Sequence, residues 1–156
     1  VIEYEFLVIA TGIETNYERI PGLIDALATT RVCSIYSPKY VDGVFKAFRA
    51  FQGGNAIFTY PNGFVKCPGA PQKICYLFDD YLRRNHTRNS ANIYYNTSLT
   101  DIFGVKHYAN ALWKISRNRN IHVNLRTNLI EVLPHGRQAV FENLDTKDKC
   151  TMDVGM

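Results

Sequence analysis

The chain has 156 residues, of which 46% are hydrophobic and 21% are charged. This is the balance of one folded domain, and it excludes a disordered chain, a collagen-like fibre and a charged tail. A net charge of +4 is too small to indicate nucleic-acid binding, no apolar run approaches a membrane span, and four cysteines are too few for a disulfide-rich secreted scaffold.

The start of the chain predicts one strand followed by a connector. Residues 4–10 are β-branched and aromatic, and Thr11-Gly12 follow them, which predicts a buried strand that pairs with a sheet outside the chain. Residues 13–40 have no sustained hydrophobic period and read as a connecting segment. The chain starts inside a strand-like run and ends without a tail, so we expect it to be an internal piece of a longer protein.

The middle of the chain predicts helix, strand, loop and helix. Val44, Ala47 and Phe48 share one face of a helix over residues 40–52, which Gly53-Gly54 should end. A short apolar strand follows at 56–60, then a proline- and glycine-rich loop at 61–71 and a helix at 71–84. The apolar stripe of that helix is formed by Ile74, Leu77, Phe78, Tyr81 and Leu82.

The remaining elements complete an α/β pattern. Strands are predicted at 91–96 and 121–125, and residues 128–133 and 139–144 flank His135-Gly136 as a β-hairpin. Between the strands at 91–96 and 121–125 lies a helix with an apolar face formed by Val105, Tyr108, Ala109, Leu112 and Ile115. The expected fold is therefore a Rossmann-like βαβαβ domain with a parallel sheet plus a β-hairpin.

The loop after the first strand of this unit is the expected site, because ligands of open α/β sheets bind at the carboxyl ends of the strands. It lacks the G-x-G-x-x-G pattern of dinucleotide binders, and its prolines remove amide donors. It carries Cys67 instead, beside Lys66 and just before a helix N-terminus, two features that favour a thiolate nucleophile. The alternative is that Cys67 is a small buried packing residue.

The other candidate groups carry less chemistry. Cys75 is predicted to lie within the helix at 71–84 and to serve as a packing residue. It follows Cys67 by eight residues, and along a helix that separation is too long for a disulfide. Cys33 and Cys150 have no motif, no Cys-x-x-Cys exists, and the four histidines lack ligand spacing, so we expect no metal site. The arginines and lysines near helix ends are interpreted as complementing helix dipoles rather than binding nucleic acid.

Two groups of residues resemble a known flavoprotein family. Residues 4–12, which end in Ala10, Thr11 and Gly12, resemble the "ATG" strand of two-dinucleotide-domain flavoprotein disulfide oxidoreductases. Residues 54–62 and 65–74, which include Lys-Cys-Pro-Gly-Ala-Pro-Gln-Lys, are similar to the mitochondrial type of sulfide:quinone oxidoreductase. Matching segments recur at 96–99, 102–106 and 128–132, in the same order and spacing.

The resemblance implies an FAD enzyme that oxidises hydrogen sulfide. Two cysteines would hold bridging sulfur beside the flavin, Cys67 being the first and the second lying outside the chain. Sulfide would open the bridge and leave a cysteine persulfide, two electrons would pass through FAD to ubiquinone, and the persulfide sulfur would go to an acceptor such as glutathione or sulfite. Ala10, Thr11 and Gly12 would lie close to FAD. The location implied is the mitochondrial inner membrane, with attachment through segments outside the chain.

The resemblance also implies a domain division and leaves alternatives open. Residues 1–30 would end the first FAD-binding segment and form a connector, and residues 31–156 would form the second dinucleotide-like domain. We expect the 156-residue chain alone to be inactive. A type II NADH:quinone dehydrogenase shares the fold, and a non-catalytic Rossmann-like module would have an inert, buried Cys67.

Overall fold

The computed structural model describes residues 1–156 and contains two three-stranded sheets. The parallel sheet has the order β1-β2-β3, with β1 at Gly54–Tyr60, β2 at Ala91–Thr97 and β3 at Ile121–Asn124. The antiparallel sheet is formed by β4 at Thr127–Val132, β5 at Gln138–Asn143 and β6 at Lys149–Asp153. The α-helices are α1 at Leu23–Ala26, α2 at Pro38–Ala50, α3 at Ala70–Arg84 and α4 at Lys106–Asn118. None of these helices has the length and apolar character needed to span a bilayer.

The parallel sheet confirms the predicted βαβαβ unit. Gly54 pairs with Ala91 and Tyr60 with Thr97, so β1 and β2 run together over their whole lengths. Helix α3 connects β1 to β2, and α4 connects β2 to β3. Consequently the loops after all three strands lie along one edge of the sheet.

An aromatic cluster joins the parallel sheet to the helices. The rings of Phe58 in β1 and Phe78 in α3 lie 5.7 Å apart, and Phe48 of α2 packs edge-on against Phe78 at 4.8 Å. Ala56 and Ile93 are completely buried beside them. These side chains belong to the main core cluster of 16 buried residues and anchor α2 and α3 to the sheet.

The predicted helix at 40–52 is shifted towards the N-terminus. Helix α2 begins at Pro38 because the side chain of Ser37 caps it, accepting a hydrogen bond from the amide of Lys39 at 3.2 Å. The helix ends at Ala50, where Phe51 turns to an extended conformation. Gly54 opens β1, so the prediction that the two glycines end the helix was wrong.

The predicted apolar stripes of α3 and α4 differ in part from the buried faces. Leu77 is half exposed, whereas Cys75 and Asp79 are completely buried. In α4 only Ala109 of the predicted face is buried, and Tyr108 is more than half exposed. Four of the five residues of the predicted α3 stripe, all except Leu77, are buried or pack against the core, so this prediction is largely confirmed. It missed Asp79 because a buried, ion-paired carboxylate counts as a surface residue in a hydrophobicity pattern.

The predicted strand at residues 4–10 does not form. Residues 1–13 are exposed and belong to no helix or strand. A strand requires a neighbour for its backbone hydrogen bonds and for its apolar faces, and neither sheet of this chain supplies one. The apolar side chains of Phe6, Val8 and Ile9 are therefore left in solvent.

The predicted hairpin is confirmed, but it is part of a three-stranded sheet. Strands β4 and β5 are antiparallel, and His135 occupies the left-handed region with φ 62° in the turn between them. Strand β6, which the sequence pattern did not predict, pairs antiparallel with β5. Beyond it, the carbonyl of Met156 accepts a 2.8 Å hydrogen bond from the amide of Ile57 in β1.

The connector before α2 packs on the antiparallel sheet. The amide of Val132 donates a 2.9 Å hydrogen bond to the carbonyl of Pro21. Leu23, Ala26 and Leu27 form a small buried cluster with Val132. This second core is separate from the aromatic one and holds α1 against β4.

Candidate active site at the cysteine loop

The cysteine loop, residues 61–69, connects β1 to α3 at the carboxyl edge of the parallel sheet. Cys67 and Lys66 are both exposed in it. The carbonyl of Cys67 accepts a 3.3 Å hydrogen bond from the amide of Ala70, the first residue of α3. Cys67 therefore lies just before the N-terminus of α3 and next to Lys66 in the chain, as predicted.

The start of the cysteine loop is held by the neighbouring strands. The amide of Asn62 donates a 3.0 Å hydrogen bond to Oδ1 of Asn128 in β4. Ser98, which follows β2, donates through its hydroxyl to the carbonyl of Pro61 at 2.9 Å. Its amide also donates to the carbonyl of Tyr60 at 3.1 Å. These bonds fix the direction in which the loop leaves the sheet.

The end of the cysteine loop is held from the connector. The hydroxyl of Tyr36 donates a 2.9 Å hydrogen bond to the carbonyl of Cys67. Between the two anchored ends, Gly63 has φ 112° and Phe64 is 99% exposed. The middle of the loop thus projects into solvent while both of its ends are tied to the rest of the fold.

Exposure distinguishes Cys67 from two of the other three cysteines. All four thiols are free, and Cys67 and Cys150 are exposed. Burial raises the pKa of the Cys75 thiol far above its usual range, with a further rise from Asp79 that Arg88 opposes. Burial also raises the pKa of Cys33 to about 11. The packing role predicted for Cys75 is confirmed, and the alternative of a buried Cys67 is wrong.

Ala10, Thr11 and Gly12 lie in the exposed N-terminal segment. No backbone hydrogen bond ties these three residues to the cysteine loop. Gly12 has φ 74°, and no atom lies within 4 Å of the position that a Cβ would occupy there. The backbone at Gly12 is thus open to solvent.

The sequence analysis missed the buried carboxylate of Asp79. It accepts hydrogen bonds from Arg83 at 2.8 Å and from Arg119 at 2.7 Å, and Arg88 donates to its other oxygen at 2.6 Å. Burial alone would raise the pKa of Asp79, but the three arginines outweigh burial and lower it. The spacing of Asp79 and Arg83, four residues apart on one helix, was the available signal.

Several solved structures share this fold. The chain aligns over 99% of its length with 35% of the sulfide:quinone oxidoreductase from the hyperthermophilic bacterium Aquifex aeolicus, at TM-score 0.77 and 18% identity. It aligns over 99% of its length with 34% of NDH2 from Plasmodium falciparum, at TM-score 0.67 and 16% identity. Thioredoxin reductase from T. acidophilum has TM-score 0.60 at 12% identity, over 92% of this chain and 40% of that one. These likenesses show that the chain has a Rossmann-like α/β fold.

Sequence similarity narrows this fold class to one family. The chain is 51% identical, over 92% of its length, to the mitochondrial sulfide:quinone oxidoreductase of Mus musculus. Identity to the proteins of the same name is 43% in Schizosaccharomyces pombe and 39% in Dictyostelium discoideum. No protein-family model matches the chain. By sequence, the chain belongs to the mitochondrial type of the sulfide:quinone oxidoreductase family. It spans about a third of the length of these relatives, covering 32% of the mouse protein.

Proposed function

We propose that this chain is part of an FAD-dependent sulfide:quinone oxidoreductase and that Cys67 is one of its two redox cysteines. The observation that carries the proposal is the exposed Cys67 at the carboxyl edge of the parallel sheet, in a chain 51% identical to a protein of that name. This edge is where open α/β folds present ligands. Cys75, the nearest cysteine along the chain, is completely buried and unsuited to exchange with substrate.

The role proposed for Cys67 is to carry sulfur. In the oxidised protein Cys67 would be joined to the second cysteine through bridging sulfur. Sulfide attacks this bridge, so that one S–S bond forms as another breaks, a persulfide is left on Sγ of Cys67 and the second cysteine leaves as a thiolate. When the bridge forms again after sulfur transfer, the two electrons would pass to FAD. Lys66 and the N-terminus of α3 stabilise the anionic sulfur before and after transfer. The persulfide sulfur then passes to a small acceptor such as glutathione or sulfite, which can reach Cys67 because the residue is exposed.

We assign the N-terminal residues to the flavin. Ala10, Thr11 and Gly12 are exposed, and the open backbone at Gly12 would let a planar ring approach closely. When bound, FAD supplies the two-electron acceptor that links sulfide oxidation to ubiquinone. Residues 1–30 would then complete the first FAD-binding segment and connect it to the second dinucleotide-like domain, residues 31–156. The proposed setting is the mitochondrial inner membrane, with attachment through segments outside this chain.

The proposal is tested by replacing single cysteines in the full-length protein. Cys67→Ser should abolish sulfide-dependent quinone reduction and leave the bound flavin absorbance unchanged, because serine is nearly isosteric but cannot form a persulfide. Cys150→Ser is the matched control, since Cys150 is also exposed, but lies on β6. An active Cys67→Ser variant would show that the wrong cysteine has been named.

The separated chain should lack the activity. Because the proposed second cysteine and the FAD pyrophosphate loop lie outside these 156 residues, the purified chain should neither retain FAD at equimolar amount nor oxidise sulfide. Flavin absorbance after gel filtration of the chain with added FAD measures this directly. A yellow equimolar complex would contradict the proposed division of the FAD site.

A further inference from the structure

Tyr36 links the connector to the cysteine loop across 31 positions of sequence. Its phenolic hydroxyl donates a 2.9 Å hydrogen bond to the carbonyl oxygen of Cys67. We propose that Tyr36 is a positioning residue: by holding the Cys67 carbonyl, it directs the Cys67 thiol during sulfur transfer. This inference rests on the proposed function, because positioning matters only where Cys67 carries sulfur.

The carbonyl bond restrains the backbone torsion that aims the thiol. Cys67 is exposed, so packing does little to hold its side chain. The other hydrogen bond to its carbonyl comes from Ala70 and is longer, at 3.3 Å. A donor that fixes the carbonyl fixes ψ of Cys67, and ψ sets the direction of the Cα–Cβ bond relative to α3. Removing the Tyr36 hydroxyl would leave that direction to the weaker bond alone.

Hydrogen bonds within the connector hold the backbone of Tyr36. Its amide donates a 3.2 Å hydrogen bond to Oγ of Ser34. The same Oγ lies 2.6 Å from the hydroxyl of Tyr17. The Tyr17 ring packs edge-on against Tyr40 in α2, with ring centroids 5.5 Å apart. The hydrogen bond to Cys67 is therefore made by a residue whose backbone is held in place, which supports precise positioning.

The Tyr36 hydroxyl acts as a donor and not as an acid. Burial, together with Cys67, Tyr60 and Tyr17, raises the pKa of the Tyr36 phenol to about 12. At neutral pH the phenol remains protonated, so its hydrogen bond to the carbonyl persists while the charge on Cys67 changes. The expected contribution of Tyr36 is therefore geometric, and no proton transfer to sulfide is assigned to it.

The test is Tyr36→Phe in the full-length, FAD-loaded protein, with Tyr40→Phe as the matched control. Tyr40→Phe keeps the ring that packs on Tyr17. For Tyr36→Phe we expect kcat for sulfide oxidation to fall about tenfold, with KM for the quinone and flavin content unchanged. Amide hydrogen exchange over residues 61–69 should become faster in the same variant, because one end of the loop is released. Tyr40→Phe should change none of these quantities.

The outcomes separate this inference from the proposed function. Unchanged exchange in Tyr36→Phe, or faster exchange with an unchanged kcat, would overturn the positioning role. Parallel changes in kcat, quinone KM and flavin content would also overturn it, because they would show a general structural role. A wild-type protein that cannot reduce quinone with sulfide would instead overturn the proposed function and remove the basis of the inference.

Discussion

The carboxylate of Asp79 in α3 lies 2.6 Å from Nε of Arg88, with Asp79 completely buried and the Arg88 side chain only 12% exposed. Arg88 also donates to the carbonyls of Ala91, Arg119 and Asn120, at 2.7 to 2.9 Å. One arginine thereby ties α3 to the start of β2 and to the end of α4. Asp79 is the counter-charge that allows this guanidinium to be buried.

Replacing Asp79 should destabilise the fold strongly. Asp79→Asn keeps the side-chain volume but removes the charge shared by three arginines, and breaking a buried ion pair in this way costs about 3 kcal/mol or more. Urea unfolding followed by circular dichroism measures the loss. Asp80→Asn is the matched control, because the Asp80–Arg84 pair on the same helix is exposed and should contribute less than about 1 kcal/mol. Equal losses in the two variants would contradict the central role of Asp79.

The Asp79 network also predicts a pH dependence of stability. The folded-state pKa of Asp79 is lowered, because the arginine hydrogen bonds outweigh burial. Its contribution is therefore fully present above the unfolded carboxyl value of about 3.9 and is lost as pH falls through the lowered folded value. The difference in unfolding free energy between wild type and Asp79→Asn should be constant near neutral pH and shrink below about pH 4. A difference that grows on acidification would contradict this assignment.

Two glycine substitutions should have opposite effects on stability. Gly22 has φ 76°, and a Cβ there would collide with the carbonyl oxygen of Val132, so Gly22→Ala should cost about 2 kcal/mol by separating α1 from β4. Gly43 lies within α2 with no atom within 4 Å of its Cβ position. Gly43→Ala should therefore stabilise by about 0.5–1 kcal/mol through helix propensity. Thermal unfolding of both variants checks the signs, and a tolerated Gly22→Ala would show that α1 does not need this close approach.

Thiol labelling should divide the cysteines into two pairs. Cys67 and Cys150 are exposed and should react first with iodoacetamide in the folded protein, whereas Cys75 should react only on unfolding. Cys33 should react slowly at neutral pH and about tenfold faster per pH unit, because its pKa is raised to about 11. Peptide mass spectrometry after timed quenching gives each rate. Rapid labelling of Cys75 in the folded protein would contradict the burial of this side chain in α3.

NADH should not support quinone reduction by the full-length protein. The cysteine loop and the first turn of α3 contain Pro61, Pro68 and Pro71, which offer no amide donors, and they lack the glycine pattern that cradles a pyrophosphate. Quinone reduction measured in parallel with sulfide and with NADH decides this. Comparable rates would favour a type II NADH:quinone dehydrogenase.

The sequence by itself determined the order of the βαβαβ unit, the hairpin and the position of Cys67. These features depend on local patterns, namely short apolar strands, amphipathic helices and proline or glycine at their ends, which a single segment displays without its neighbours. The helix predicted at 71–84 forms at Ala70–Arg84, and the loop before it is two residues shorter than predicted. The roles of Cys67, Ala10, Thr11 and Gly12 remain predictions.

Only the tertiary structure decided which side chains meet across long separations. From the sequence Asp79 would be expected at the surface, whereas in the structure Arg88 and Arg119 bind it. No sequence pattern singled out Tyr36 in the connector, and only the fold shows its hydrogen bond to Cys67. Residues 4–10 have the apolar and β-branched pattern of a strand but form none, because no strand edge in this chain pairs with them. Burial, ion pairing and strand pairing each need groups from different parts of the chain, so no local pattern can specify them.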